Sequence, residues 1–324
     1  MLYGTSMGLT DDGYPICFLR QIDIHLAPTR PGDGICVNAQ WAQTGVTVAG
    51  GNGEGSALDQ LLGPTGLFVD DNQTIYVADN FNHRVTKWNR GASSGELVAG
   101  GKGAGDQNDQ LNKPTDIVVD KDGTMYISDT GNQRVQKWSR GAQSGQTIIG
   151  NISVYGLARD DRESLYASDD DRDEVKRWCA GETVGQLIAS ELKQPRFLFV
   201  DQNRSVYVVE QDHHRVIKLD EGTTDMSIVA GGWYGDGDNQ LSYPTGVIVD
   251  ALGTVYVADH SNHRIMRWVR DAKLGSVIVN GHGLTASEQL SYPTDLSFDL
   301  DGNLYVVDFG GQRVQKFVID KSLC

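Results

Sequence analysis

Six tyrosines fix the register of this chain and restrict what it can become. Tyr76, Tyr126, Tyr166, Tyr207, Tyr256 and Tyr305 follow one another at intervals of 50, 40, 41, 49 and 49 residues. Six positions before each stands an aspartate: Asp70, Asp120, Asp160, Asp201, Asp250 and Asp299. Twelve positions before stands Pro64, Pro114, Pro195, Pro244 or Pro293, with Val154 in the third copy. Three positions after comes an acid (Asp79, Asp129, Asp169, Glu210, Asp259, Asp308). Eight after comes Arg84, Arg134, Arg215, Arg264 or Arg313, with Glu174 in the third copy. Units repeated at this period bury their apolar faces on one another, so the 324 residues are read as an array and not as independent domains.

Each unit holds four short apolar runs, which in the fifth are TGVIV, TVYVA, RIMRW and SVIV. They are rich in β-branched residues, separated by Gly, Asp and Asn, and show no helical period. That is a four-stranded antiparallel meander, strands a to d. Four-stranded units at this repeat length give an all-β, six-bladed β-propeller. The tyrosines, with Trp88, Trp138, Trp178, Trp268, Leu219 and Phe317 twelve residues later, are the expected fillers between blades.

The ring must close, because open edges would remain otherwise. The last unit stops after its third strand, and a spare strand lies at Gly45–Ala49. It is expected to pair with residues 313–318, so that the amino end completes the last blade. Residues 1–35 form an N-terminal extension and linker, with Pro28, Pro31, Gly32 and Gly34 at its end and an alternating segment, Tyr14–Leu26, that suits a strand. Residues 36–324 form the propeller. Cys36 and Cys324 flank the seam and are disulfide candidates, a bond worth roughly 4–5 kcal/mol in the loop-entropy model. The alternative is two free thiols.

After the second strand the units read Asn82-His83-Arg84, Asn132-Gln133-Arg134, His213-His214-Arg215, Asn262-His263-Arg264 and Gly311-Gln312-Arg313, while the third has Arg172-Asp173-Glu174. Residues 36 to 320 thereby resemble the NHL-repeat family, named for an Asn-His-Leu motif at this place. The resemblance implies a six-bladed propeller that serves as an interaction module. His83, His214 and His263 share one slot, too far apart around a ring for one metal ion, and are read as structural.

Charge narrows the partners. Acidic residues outnumber basic ones 43 to 28, a net charge of −15. A nucleic-acid binder needs cations to displace phosphate counterions, so nucleic acid is not an expected partner, nor is an anionic membrane surface. No run of 18 apolar residues is present, so no membrane insertion is expected. The first 30 residues have no signal-peptide pattern. Cys17, Cys36, Cys179 and Cys324 include no CxxC pair, which leaves zinc unsupported by that route. Sequons make Asn72, Asn151 and Asn203 glycosylation candidates and tilt the expectation toward an extracellular setting.

Antiparallel order places the d–a and b–c loops on one rim and the a–b and c–d loops on the other. The first rim carries the Gly-rich loops AGGNGEGSALDQ, AGGKGAGDQNDQ and AGGWYGDGDNQ, without the Gly-Lys-Ser/Thr ending of a phosphate loop. It also gathers Trp233, Tyr234, Tyr243, Tyr292, His260, His282 and Phe309, which suit sugar rings or peptide side chains, or simply pack loops together. Strand a opens with Asp116 and Asp295 where other units have Gly66, Gly156, Phe197 and Gly246, a place for a cation or an amine near the channel mouth, or a solvated lining. Residues 168–174, Ser-Asp-Asp-Asp-Arg-Asp-Glu, offer oxygens to Ca²⁺, or form a degenerate turn in which Arg172 or Arg177 replaces the missing arginine. The expected function is a non-enzymatic module that binds a protein, peptide or glycan on the d–a/b–c rim. The alternative is an enzyme of the amidating-lyase or gluconolactonase-like propeller type with a metal on the axis, for which the strand-a segments provide no His or Glu.

Overall fold

The structure is a computed structural model that describes residues 32, 35–281, 290–322 and 324. The expected strand at Tyr14–Leu26 and His282 lie outside the described residues. Six antiparallel sheets of four strands follow one another along the chain. Blade 1 consists of Pro64–Val69, Ile75–Asp79, Arg84–Trp88 and Glu96–Gly100, and blade 2 of Pro114–Val119, Met125–Asp129, Arg134–Trp138 and Gln146–Gly150. Blade 3 runs Val154–Arg159, Leu165–Asp169, Glu174–Trp178, Gln186–Ala189, and blade 4 Pro195–Val200, Val206–Glu210, Arg215–Leu219, Met226–Gly231. Blade 5 has Val247–Val249, Val255–Asp259, Arg264–Trp268 and Ser276–Asn280. Blade 6 has Pro293–Phe298, Leu304–Asp308 and Arg313–Phe317 from the carboxyl end, and takes Val46–Gly50 as its fourth strand. Among the described residues no helix is long and apolar enough to cross a membrane.

The seam forms as the repeat register requires: Val46 pairs with Lys316, Thr47 with Gln315, Ala49 with Val314 and Gly50 with Arg313. A second, shorter clasp lies outside the blades. Gln40–Trp41 pairs with Ile319–Asp320, and Cys36 is bonded to Cys324. Trp41 donates through Nε1 to the Gly302 carbonyl at 3.1 Å and lies against Phe298 and Tyr256 at 6.0 and 5.7 Å between ring centroids. Ile35, Ala39 and Trp41 belong to the core shared by blades 5 and 6. The clasp was not legible because two-residue strands carry no periodic signal.

The apolar cores lie between blades. Tyr305, Val307 and Val314 of blade 6 pack with Leu67, Val69, Ile75, Val77 and Trp88 of blade 1, and with Ala49 of the seam strand. Trp88, Trp138, Trp178 and Trp268 are buried, as are Leu219 and Phe317 in the same register. Each such burial contributes roughly 1.5–3 kcal/mol.

At the inner ring the third position of strand a alternates Gly66, Asp116, Gly156, Phe197, Gly246, Asp295. The glycines are required by close approach: a Cβ on Gly66 would lie 2.8 Å from Asp116 Cα, on Gly156 2.7 Å from Phe197 Cα, and on Gly246 2.9 Å from Asp295 Cα. Innermost strands thus approach in pairs, and any side chain at the odd blades would force them apart.

Replacing both Cys36 and Cys324 by Ser should leave the fold intact, because the Val46–Gly50 pairing does not depend on them. Stability should fall by about 5–6 kcal/mol on the loop-entropy account for a sequence separation of 288, somewhat more than the sequence expectation. Urea denaturation of the variant against the oxidised parent measures this, and a loss under about 1 kcal/mol would show that the clasp adds little to the strand.

Candidate functional site

The acid–arginine pair that frames each b–c turn is a lock. In blade 1, Arg84 Nε donates to Asp79 Oδ2 at 2.6 Å, and both groups are buried. The other guanidinium nitrogens donate to the carbonyls of Ser56, Ala57 and Gln60 in the Gly-rich loop. Asp79 Oδ1 accepts the Leu62 amide at 2.7 Å, and Oδ2 accepts Asn82 at 2.8 Å. Arg134 repeats this on Asp106, Gln107 and Gln110, and Arg264 on Asp236, Gly237 and Gln240. Burial raises the Asp79 and Asp259 carboxyls above their ordinary range, against the pull of their hydrogen bonds. With four guanidinium hydrogen bonds and both carboxylate oxygens engaged inside the fold, the pair braces the loop.

The braced loops do not stay on the rim. The carbonyls of Leu58, Asn108 and Asp238 at their tips accept from Gly95, Gly145 and Gly275 at the start of strand d, each at 2.7 Å. They hang along the blade and cover the beginning of its outer strand, which reduces the exposed edge. The expectation that these loops lie on the rim is corrected for their tips.

Blade 3 resolves its missing arginine through Arg172, which donates to Asp169 Oδ2 at 2.6 Å and to the Asn151 carbonyl at 2.8 Å. The acidic run is dispersed among partners. Asp170 faces Arg196, Asp173 faces Lys193, Glu174 faces Lys176, and Asp171 accepts from Gln133. Among the described residues no group of three or more His, Cys, Asp or Glu is placed to hold a metal ion.

The slot histidines are latches between blades. Nδ1 of His83 accepts the Lys113 amide at 3.0 Å, His214 that of Tyr243 at 3.3 Å, and His263 that of Tyr292 at 3.0 Å. Gln312 does the same for Gly63 at 2.6 Å. On two of these latches the tyrosine ring lies against the histidine: His214–Tyr243 at 4.9 Å and His263–Tyr292 at 4.3 Å. Tyr234 joins the first group, 5.1 Å from His214 and 6.3 Å from Tyr243. These rings are open to solvent: Trp233 is 71% exposed, Tyr234 64%, Tyr243 45% and Tyr292 43%. His260 is half-buried beside Tyr292 and Phe309 and donates through Nδ1 to the Pro293 carbonyl at 3.1 Å. Burial lowers its basicity, so its ring is neutral at pH 7.

Asp116 and Asp295 are buried, and each bridges two blades. Asp116 accepts the amides of Ile117 and of Leu157 in blade 3, both at 2.7 Å. Asp295 accepts Leu296 at 2.8 Å and Leu67 of blade 1 at 2.9 Å. Burial, reinforced by the charge of Asp295, raises Asp116 well above the carboxylate range, and burial pushes Asp295 up to about 7.

Sequence reasoning missed the groups that stand one position earlier in strand a. Tyr155 and Arg196 occupy the mouth of the axis, with the guanidinium carbon 4.3 Å from the tyrosine ring centroid. Arg196 Nε donates to Gln211 at 2.9 Å, while its contacts to Asp170 and Gln194 are longer, 3.4 and 3.3 Å. Burial raises Asp170, partly offset by Arg196. The signal available in the sequence was the loss of the threonine found at this position in the other four units, Thr65, Thr115, Thr245 and Thr294.

The inner carboxyls give a pH dependence of defined sign. Asp295 titrates near 7 when folded and near 3.8 when unfolded. The folded chain therefore holds an extra proton between these values, and stability present at pH 4 is lost as pH rises through 7. Melting temperature should fall between pH 5 and 8, and Asp295→Asn should flatten that slope. An equal slope in the variant would show that this carboxyl is not the titrating group.

The chain was compared with known proteins. The NHL repeat matches residues 61–88, 111–138, 241–267 and 290–317, which are blades 1, 2, 5 and 6. No curated protein matches the chain. A structural-genomics protein of unknown function from Bacteroides thetaiotaomicron is 17% identical, with a TM-score of 0.69 over 87% of this chain and 77% of that one. An auxiliary nutrient binding protein from the same organism is 15% identical, with a TM-score of 0.67 over 87% and 78%. Virginiamycin B lyase from Staphylococcus aureus is 10% identical, with a TM-score of 0.57 over 86% and 99%. At these identities the likeness shows the fold alone. Four blades match the NHL repeat and the other two are built on the same four strands, so the fold is a six-bladed β-propeller that carries NHL repeats.

Proposed function

We propose that the chain is a non-enzymatic binding module that takes a protein, peptide or glycan ligand on the d–a/b–c rim across blades 4 to 6. One observation carries this reading. Tyr243 and Tyr292 hold a left-handed backbone, φ +47° and +53°, at the position where blade 1 has Gly63 at +57°. A side chain there costs roughly 1–2 kcal/mol, and the ring contact with the latch histidine returns about 0.5–1.5 kcal/mol. Glycine meets the backbone need without that strain, yet large rings stand there, exposed. Trp233 and Tyr234 extend the same patch. Rigid amphipathic rings supply contact area at little entropic loss when a ligand is bound.

The surroundings support the reading. The braced loops and latches hold the rings on a stiff frame, which favours a ready-made surface. Asn72 and Asn203 are exposed on the opposite rim, where glycans would leave the aromatic surface open. The Cys36–Cys324 bond is what an oxidising, extracellular compartment permits. Nutrient binding, named for one solved neighbour, is compatible with capture on this rim.

Replacing Trp233 and Tyr292 together by Ala should abolish capture of whichever ligand an array of glycans and peptides identifies. Melting temperature should fall by only a few degrees, since Trp233 is exposed and the Tyr292–His263 ring contact is worth about 0.5–1.5 kcal/mol. A large fall in melting temperature would mark the rings as packing groups. Stoichiometric metal in the purified protein would favour instead an enzyme with its centre on the axis.

A further inference from the structure

Four blades close the mouth of the axis in one way. The second residue of strand a is threonine, and its hydroxyl donates to a carbonyl of the next blade. Thr65 reaches Thr115 at 2.7 Å, Thr115 reaches Tyr155 at 2.7 Å, Thr245 reaches Pro293 at 3.2 Å and Thr294 reaches Thr65 at 2.7 Å. Blades 3 and 4 abandon this bond for Tyr155 and Arg196. The next residue around the mouth also changes. Asn80 and Thr130 bond to the carbonyls of Pro114 and Val154, while blades 3 and 4 have Asp170 and Gln211, which turn to Arg196. Four adjacent positions have therefore left the structural pattern together.

The atoms left over in this cluster accept hydrogen bonds. Asp170 Oδ1 is buried and has no hydrogen bond. The neutral ring of His260, with Nδ1 donating to Pro293, keeps Nε2 as an acceptor. The Tyr155 hydroxyl makes no hydrogen bond among the described residues, and its proton is held more tightly through burial and the charges of Asp170, Asp295 and Asp116. Among the described residues Arg196 is the one cation in direct contact with the cluster, and it already faces Gln211, Asp170 and Gln194. Orphaned acceptors beside carboxylates call for a ligand that donates and carries positive charge, and the tyrosine and histidine rings favour a cation as well. A bare divalent ion would want six or more oxygens, more than the mouth offers. An ammonium needs about three acceptors.

We propose that the axial mouth at blades 3 to 5, bounded by Tyr155, Asp170, Arg196 and His260, binds a primary ammonium group, carried by a free amine or by a lysine side chain. This site meets the aromatic patch only at His260, whose ring lies 5.2 Å from that of Tyr292, and it does not rest on ligand capture by that patch.

The test is calorimetric and NMR titration of the full chain with n-butylammonium, with n-butanol and butyrate as neutral and anionic controls. Saturable binding of n-butylammonium alone is expected. Asp170→Asn should weaken it about tenfold or more, as loss of a charged hydrogen bond does. Tyr155→Phe, which removes one oxygen and keeps the ring, should weaken it less. Trp233→Ala alone, which removes a ring exposed on the rim and away from His260, should leave it unchanged even where that variant weakens rim capture. Nα-acetyl-lysinamide binding more tightly than n-butylammonium would name a lysine side chain as the source, and the reverse a free amine. No saturable binding, equal binding by both Asp170→Asn and Tyr155→Phe, or preference for butyrate would overturn the proposal.

Discussion

Every blade in this ring needs a neighbour on both faces, and the chain meets that condition by dividing one blade between its two ends. Val46–Gly50 lies on Arg313–Phe317, and Ala49 enters the core that joins blade 6 to blade 1. The bond therefore does more than finish a sheet. Without it the last blade would present an unpaired edge, and the first would lose part of its packing partner. The Gln40–Trp41 clasp and the Cys36–Cys324 bond lie just outside that strand and restrain the same junction. Closure is thus backed by hydrogen bonds, aromatic packing and a covalent link, each of different chemical sensitivity.

Polar groups do the local bracing that apolar packing cannot. A Gly-rich loop has little side chain to bury, so its carbonyls must find donors. Arg84, Arg134 and Arg264 provide three such donors each, and a buried aspartate holds each guanidinium in place. The arrangement explains why the acid and the arginine recur with fixed spacing: each pair ties a loop to the turn beside it. Buried ion pairs add little net stability over an apolar pair, but removal of one partner strands the other. Their use here is to fix loop position, which in turn fixes where Trp233 and Tyr234 stand.

The periodic parts of this arrangement were legible and the local ones were not. Tyrosine spacing gives six blades, and the missing fourth strand of the last unit points to Val46–Gly50. Side-chain pattern carries that information because each repeat buries the same face. The descent of the loop tips to Gly95, Gly145 and Gly275 is made by backbone carbonyls and leaves no residue signature. The position of Asp116 and Asp295 could be read, but not their burial, because the alternation with Gly66, Gly156 and Gly246 has meaning only once strand a of each blade is seen against the next. Arg196 and Tyr155 were illegible for a related reason: the threonine they replace matters through a hydroxyl bond to the next blade, which has no apolar or charge pattern in the sequence.

Repetition itself supplies a reference for judging which residues do something other than fold. Lys113, Gln194, Tyr243 and Tyr292 share one left-handed slot with Gly63, so the strain belongs to the slot and the choice of side chain is free. Two exposed tyrosines in that slot, both set edge-on against latch histidines, are then a choice that folding does not require. The same comparison isolates the mouth. Threonine suffices to tie strand a to its neighbour in four blades, and a tyrosine–arginine stack in the other two gives up that bond. The blades supply the geometry in common; what is bound is decided by the few positions at which they stop agreeing.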